Sequence, residues 1–285
     1  MTQLGERPGT DSSHDLVVAA PEGAATNRAW WDERVPIHLA SDFYDLDEFI
    51  AEPDVLRSFE TDEVGDVTGA TLLHLMCHIG LDALSWAHRG ATVTGLDFSA
   101  PAVDAANALA AQLELPAQFV TADVYDAPEA LDGETFDIVY TGIGALNWLP
   151  DLKRWAEVVA RLLAPGGFLY VAESHPVQDV LDDDTGTTFD LDYFDIGPIV
   201  WEEEGSYADP DAETDANVTV EYHHTLGAIV TAVIAAGLRL EFLHEHDGTP
   251  SQRFDTLMQG DDGLYRFPPG TPRAPLLFSL RAYKP

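Results

Sequence analysis

The residues with the most chemical promise stand at the ends of successive apolar runs. TLLHLM (71–76) is followed by Cys77-His78-Ile79-Gly80, and a helical stretch starts at Leu81. A glycine there lets backbone approach a ligand, and the helix N-terminus offers free N–H groups. The next run, ATVTGLD (91–97), ends in Asp97, 17 residues after Gly80. A carboxylate in that place can accept hydrogen bonds from both vicinal hydroxyls of a ribose. QFVTAD (118–123) ends in Asp123-Val124, an acid suited to an adenine amino group beside an apolar residue that can cover the ring. FDIVYT (136–141) opens into TGIGALNW, a loop beginning Thr141-Gly142 that can floor a site. The last run of this series, GFLYVAE (167–173), leads into ESHP, whose His175 is the best-placed general base by topology.

Short apolar runs alternating with helical stretches between Gly69 and Glu173 predict a parallel α/β sheet. Ser99 caps a helix with Pro101 in its first turn, and Val103, Ala106, Ala110 and Leu113 share one helical face. Leu152, Trp155, Val159 and Leu162 mark another helix, stopped by Pro165-Gly166-Gly167. A helix at about 224–236, then LRLEFLHEH and PLLFSLRAY (275–283) as strands, complete the periodic part. In open sheets of this kind ligands lie beyond the carboxyl ends of the strands, where the loops above are. Residues 1–25, rich in Gly, Ser, Thr, Asp and Pro, predict a loose tail. Residues 26–60 hold the aromatic segment RAWWDERVPIHLASDFYDLDEFI and predict short helices capping the rest. The acidic stretch 179–215 interrupts the rhythm and reads as an insertion. Residues 26–285 form one domain on this reading.

The 285 residues carry 50 acidic and 14 basic side chains, a formal net charge of −36. Such a chain repels nucleic acid and anionic membrane surfaces, so neither is an expected partner. Self-repulsion of this size destabilises a fold in dilute buffer and is screened at molar salt, where the Debye length is about 3 Å. Adaptation to a salt-rich cytoplasm is the expectation. The single cysteine, Cys77, allows no intrachain disulfide and reads as a small packed hydrophobe rather than a nucleophile. The polar, acidic first residues show no signal peptide, which supports a cytoplasmic location. The ten histidines show no HExxH or Cys/His ligand spacing, so no metal is expected. Arg34 and Arg253 are the cations available to an anionic acceptor.

The ordered set LLHLMCHIG, GATVTGLDFS, FVTADV, FDIVYTGIGALNWLPD and LLAPGGFLYVAES resembles the class I S-adenosylmethionine-dependent methyltransferases, small-molecule type. The WWDERVPIH and HTLGAIVTAVIAAGL segments extend the likeness to nearly the whole chain. The resemblance implies a Rossmann-like, doubly wound seven-stranded sheet, mostly parallel with the last strand antiparallel, helices on both faces, an N-terminal helical cap and an insertion after strand five. It implies S-adenosylmethionine as cofactor and a small-molecule methyl acceptor. It aligns Cys77, His78, Gly80, Asp97, Phe98, Ser99, Asp123, Val124, Thr141 and Gly142 along the cofactor. One departure stands out. His74 occupies the position of an expected acid, and Met76 and His78 occupy expected glycine positions, which crowds the methionyl moiety. A binding protein that retains the cofactor without turnover is the alternative.

Overall fold

The computed structural model describes residues 20–195 and 197–285, with side chains from residue 23 onward. Most of the expected tail, residues 1–19, lies outside the described residues. Its last part does not: α1 (Ala20–Ala40) is a single 21-residue helix rather than the end of a tail and a run of short helices. Gly23 lets it lie close to a later strand, because a Cβ there would stand 3.2 Å from the Tyr222 hydroxyl. Helices α2 (Leu46–Ala51) and α3 (Ser58–Val64) complete the cap.

The chain then builds β1 (Thr71–Leu75), α4 (Leu81–His88), β2 (Thr92–Asp97), α5 (Ala100–Leu113) and β3 (Ala117–Thr121). A short α6 (Ala127–Ala130), β4 (Phe136–Thr141), α7 (Leu152–Leu162) and β5 (Leu163–Ser174) follow. The expected boundaries hold closely, with β5 the exception. It begins at Leu163, pairing with Phe136, and passes through Pro165-Gly166-Gly167 with a register shift before Ile138 pairs with Phe168. Gly167 is required there, since a Cβ would lie 2.7 Å from the Asp137 carbonyl.

Beyond β5 the chain leaves the sheet. The expected insertion runs into an antiparallel hairpin, β6 (Pro198–Glu202) with β7 (Val218–Tyr222), so the excursion extends past residue 215. Then α8 (Leu226–Ala235) leads to β8 (Arg239–His246). A second excursion, absent from the sequence reading, holds β9 (Gly248–Thr249), β10 (Met258–Gln259) and β11 (Tyr265–Arg266) as a small sheet. Phe254, Leu257 and Phe267 there pack with Leu181 and Leu276 as a separate apolar cluster. The chain closes with β12 (Leu277–Tyr283).

The main sheet has seven strands in the order β3-β2-β1-β4-β5-β12-β8. Strands β1 to β5 pair in parallel, and β12 runs antiparallel to both its neighbours. Period-two alternation sends Leu73, Leu75, Leu169 and Val171 to one face, against Trp155, Val159 and Val233 of α7 and α8. Leu72, Tyr140, Tyr170 and Ala172 go to the other, against Leu84 and Trp86 of α4 and Val103 and Ala106 of α5. Each fully buried large side chain contributes roughly 1.5–3 kcal/mol of transfer free energy. Two packed faces fix the directions of β1–β4, and so fix where their carboxyl-end loops meet.

Candidate functional site

Three positions of the loop after β1 adopt left-handed backbone: Met76 at φ 59°, His78 at φ 50° and Gly80 at φ 82°. The turn therefore keeps a glycine-loop path although only Gly80 is glycine. A non-glycine residue in this region costs about 1–2 kcal/mol and persists where its surroundings over-determine it. Asp97 supplies part of that. Its Oδ2 accepts the His78 N–H at 2.8 Å and its Oδ1 accepts the Ser99 N–H at 2.9 Å. An ionised carboxylate has about four acceptor positions, so about two remain for a ligand. Burial pushes the Asp97 carboxyl up to about 6, against the pull of these backbone bonds, and the charge of Asp32 on α1 adds to the rise. Ser99 caps α5 by accepting the Ala102 N–H.

Two residues past β3, Asp123 accepts the Tyr125 N–H through Oδ1 at 2.9 Å, and Val124 is buried beside it. Phe98 lies under the Arg28 guanidinium, 5.6 Å away, where α1 crosses this edge. The Thr141 hydroxyl and Asp32 Oδ1 are buried with no hydrogen-bond partner among the described residues, groups a ligand can satisfy. A Cβ at Gly142 would stand 3.2 Å from Asp82 Oδ2. Gly80 has a packing role as well: a Cβ there would fall 2.7 Å from the Phe119 ring. Cys77 is buried with its thiol pushed up by burial, so it presents no thiolate.

Over this edge lies an aromatic roof. Trp30 and Trp31 of α1 meet edge to face at 5.0 Å, and both pack on Trp148 from the loop after β4. Trp31 also meets the His78 ring at 5.0 Å. His38 Nδ1 is 3.1 Å from His78 Nε2, and His38 Nε2 is 2.7 Å from the Ser206 hydroxyl of the insertion. Tyr44 hydrogen-bonds Tyr207 and approaches His78 Nδ1 at 3.5 Å. Burial holds both imidazoles neutral, His38 down to about 4 and His78 down to about 3.

Residues 73–169 match a family model described as a methyltransferase domain. Over that third of the chain the sequence is similar to the methyltransferase domain family. It is 32% identical over 165 residues to a ubiquinone biosynthesis O-methyltransferase of Alkalilimnicola ehrlichii, covering 56% of this chain and 61% of that one. It is 26% identical over 220 residues to a demethylmenaquinone methyltransferase of Lactococcus lactis, covering 68% and 84%. The chain thus spans about three fifths of the length of the first relative. In fold it is similar to a Burkholderia thailandensis 1,6-didemethyltoxoflavin-N1-methyltransferase, TM-score 0.57 at 18% identity, covering 98% of this chain and 99% of that one. A Listeria monocytogenes methyltransferase gives TM-score 0.57 at 17% identity, covering 80% and 96%.

Just beyond the matched residues, an acid not singled out from the sequence organises the floor. Glu173, at the end of β5, accepts the N–H groups of Gly144, Ala145 and Leu146 at 2.6, 2.8 and 2.9 Å. It also accepts from Ser174 at 2.7 Å. A buried acid at a strand end beside a glycine loop was the available signal. His175, next in sequence, is not brought into the aromatic site. Its Nδ1 accepts the Val177 N–H at 3.1 Å, and its Nε2 faces Glu245 Oε1 of β8 at 3.1 Å. Both ring nitrogens are engaged, which leaves no lone pair for an acceptor proton.

The two expected cations are also committed elsewhere. Arg34 is fully buried, stacks on Trp30 at 3.9 Å, and donates to the carbonyls of Gly205 at 2.9 Å and Ala216 at 2.8 Å. Arg253 pairs with Asp183 at 2.6 Å. His223 and His224 point ring nitrogens at the carbonyls of Tyr193 and Leu149. No described helix is long and apolar enough to cross a membrane.

Proposed function

We propose that this chain is an S-adenosylmethionine-dependent methyltransferase acting on a small-molecule acceptor. The observation that carries the reading is Asp97, buried at the end of β2, which holds two loop N–H groups and keeps acceptor positions for a ribose. The residues fit an adenosine: Asp97 for the hydroxyls, Asp123 for the amino group, Val124 and Phe98 for the ring. The unpartnered Thr141 hydroxyl and Asp32 oxygen offer further polar contacts. Cys77, Gly80, Ser99 and Gly142 serve by shaping the backbone around it. Bound S-adenosylmethionine supplies an electrophilic methyl on a sulfonium. The chain's part is to exclude water and align the acceptor, which the roof of α1 and the insertion accomplishes. The relatives named as quinone-biosynthesis methyltransferases support a small acceptor over a polymer. So does the −36 charge, which disfavours nucleic acid.

Calorimetry at molar potassium chloride tests the cofactor, and mass spectrometry of small-molecule acceptors incubated with it tests transfer. Binding without any methylated product would favour the non-catalytic alternative; no binding would end both readings. The charge also supports work in a salt-rich cytoplasm. The melting temperature should then rise from dilute to molar potassium chloride, as screening relieves repulsion. A flat or falling curve refutes that adaptation.

A further inference from the structure

We propose that His78, backed by His38, is the general base of this site, and that its acceptor is an aromatic hydroxyl. The inference rests on the methyltransferase reading above and adds the proton path and the acceptor class. It starts from the backbone. His78 stands at φ 50° where a glycine would be at ease, so the chain carries strain to place an imidazole there. That imidazole belongs to an unbroken polar series, Ser206–His38–His78–Tyr44–Tyr207, which joins α1, the loop after β1 and the insertion.

The Ser206 hydroxyl can donate or accept, so the contacts allow two proton arrangements, and we take the one in which it accepts. A neutral imidazole has one N–H and one lone pair. The Ser206 hydroxyl already accepts the Ala208 N–H at 3.2 Å and retains a second lone pair. With His38 donating Nε2–H to it, His38 Nδ1 must accept from His78 Nε2–H. His78 Nδ1 then holds a lone pair whose nearest polar neighbour is the Tyr44 hydroxyl, at the long distance of 3.5 Å. The rings of Trp31, Tyr44 and His38 surround it, and the exposed rings of Phe43 and Tyr207 pack on one another and on Tyr44. Flat aromatic walls around a base suit a phenolic ring, and a hydroxyl is the acceptor type that needs its proton removed.

The acceptor's O–H proton passes to His78 Nδ1 as its oxygen forms the bond to the methyl carbon. The carbon–sulfur bond breaks, and its electron pair leaves a neutral thioether. The Nε2 proton of His78 can move to His38 Nδ1, so the gained charge is shared by two rings. Net positive charge in the pocket is moved from sulfur to imidazole, not created. The charged or titratable groups facing the pair are Asp97, through the His78 N–H, Arg34 beside His38, and Tyr44, Tyr207 and Asp82.

The test uses the full chain at high salt with catechol and a nitrocatechol already ionised at pH 8. His78→Gln and His38→Gln should hold cofactor affinity within about threefold by calorimetry. On catechol at neutral pH their kcat should fall, by about 10²–10⁴-fold for His78→Gln, the range for a lost general base. On the ionised nitrocatechol, rates should return to within about fivefold of wild type. Histidine ¹⁵N spectra should put the protons on Nε2 of both rings. Equal losses on both probes, undiminished catechol rates, or a His78 proton on Nδ1 would overturn the proposal. So would a chain that binds the cofactor yet methylates neither probe. A chain that binds no cofactor fails the methyltransferase reading itself. Should the glutamine variants not fold, His78→Gly relieves the backbone strain and replaces them.

Discussion

The two ends of the carboxyl-edge site are held in opposite ways. At the end proposed for adenosine, Asp97, Ser99 and Asp123 make short local bonds to neighbouring backbone, and the backbone at each suits its residue. At the end proposed for the acceptor, Met76 and His78 sit in left-handed backbone that disfavours them, and side chains reach across from α1 and the insertion. The first end is built by the sheet and its own loops. The second is built by segments far apart in sequence, as in the bond from Arg34 to Ala216, 182 residues on. Contacts that recognise a common cofactor can be local, whereas contacts that choose an acceptor are drawn from variable excursions.

The contrast can be broken at Glu173, which holds the loop after β4. Glu173→Ala strands three loop N–H groups, at about 1–3 kcal/mol each, so a loss of at least about 3 kcal/mol is expected in denaturant unfolding. A loss below about 1 kcal/mol would mean that the loop is held otherwise. Arg34→Met should sharpen the contrast. It removes the donor to Gly205 and Ala216, costing about 2–4 kcal/mol, yet cofactor affinity should change less than about threefold. A large fall in affinity would show that the two ends are not separable.

Asp97→Ala probes the other end and should weaken cofactor binding by about 1.5–3 kcal/mol. Because the Asp97 carboxyl is raised to about 6, cofactor affinity should fall as pH drops through that value and one acceptor position is lost. The sign for stability is opposite. The folded state binds this proton more tightly than the unfolded chain, so Asp97 lowers stability as pH rises from about 4 to 6. Asp97→Asn should flatten both profiles, and an unaltered pH dependence would reassign the group. The smallest effect is expected at Met76. Met76→Gly should cost under about 1 kcal/mol, against about 2–5 for truncating an ordinary buried methionine, because strain is released. A full-size loss would show that the left-handed turn carries no strain.

The sheet was legible because each strand run from Thr71 to Glu173 ends in a turn residue and each helix has a cap or a breaker. Asp97, Asp123 and the TGIG loop were legible for the same reason: they are strand ends. The β9–β11 excursion was not, since two-residue strands leave no period. His175 looked well placed because it follows a strand end, but β12 and β8 lie on its side of the sheet, and Glu245 engages it. The His38–His78 contact spans 40 residues, and nothing in local spacing announces it. Met76 and His78 read as losses of glycine, whereas the backbone shows the glycine path preserved.

Arg34 and Asn27 give the roof a mechanical character. Asn27 exchanges two hydrogen bonds with the Val220 backbone at 2.8 Å, and Glu33 accepts from Asp215 and Ala216 at 2.8 Å. Helix α1 and the β6–β7 hairpin are therefore bolted into a single plate. Its hold on the sheet edge includes the His38–His78 contact and the meeting of Trp30 and Trp31 with Trp148. A plate of this kind cannot release a product by fraying at one corner. If it opens as a unit, one contact that parts is the His38–His78 hydrogen bond, through which the proton would pass on the proposal above, so release and chemistry would share one bond.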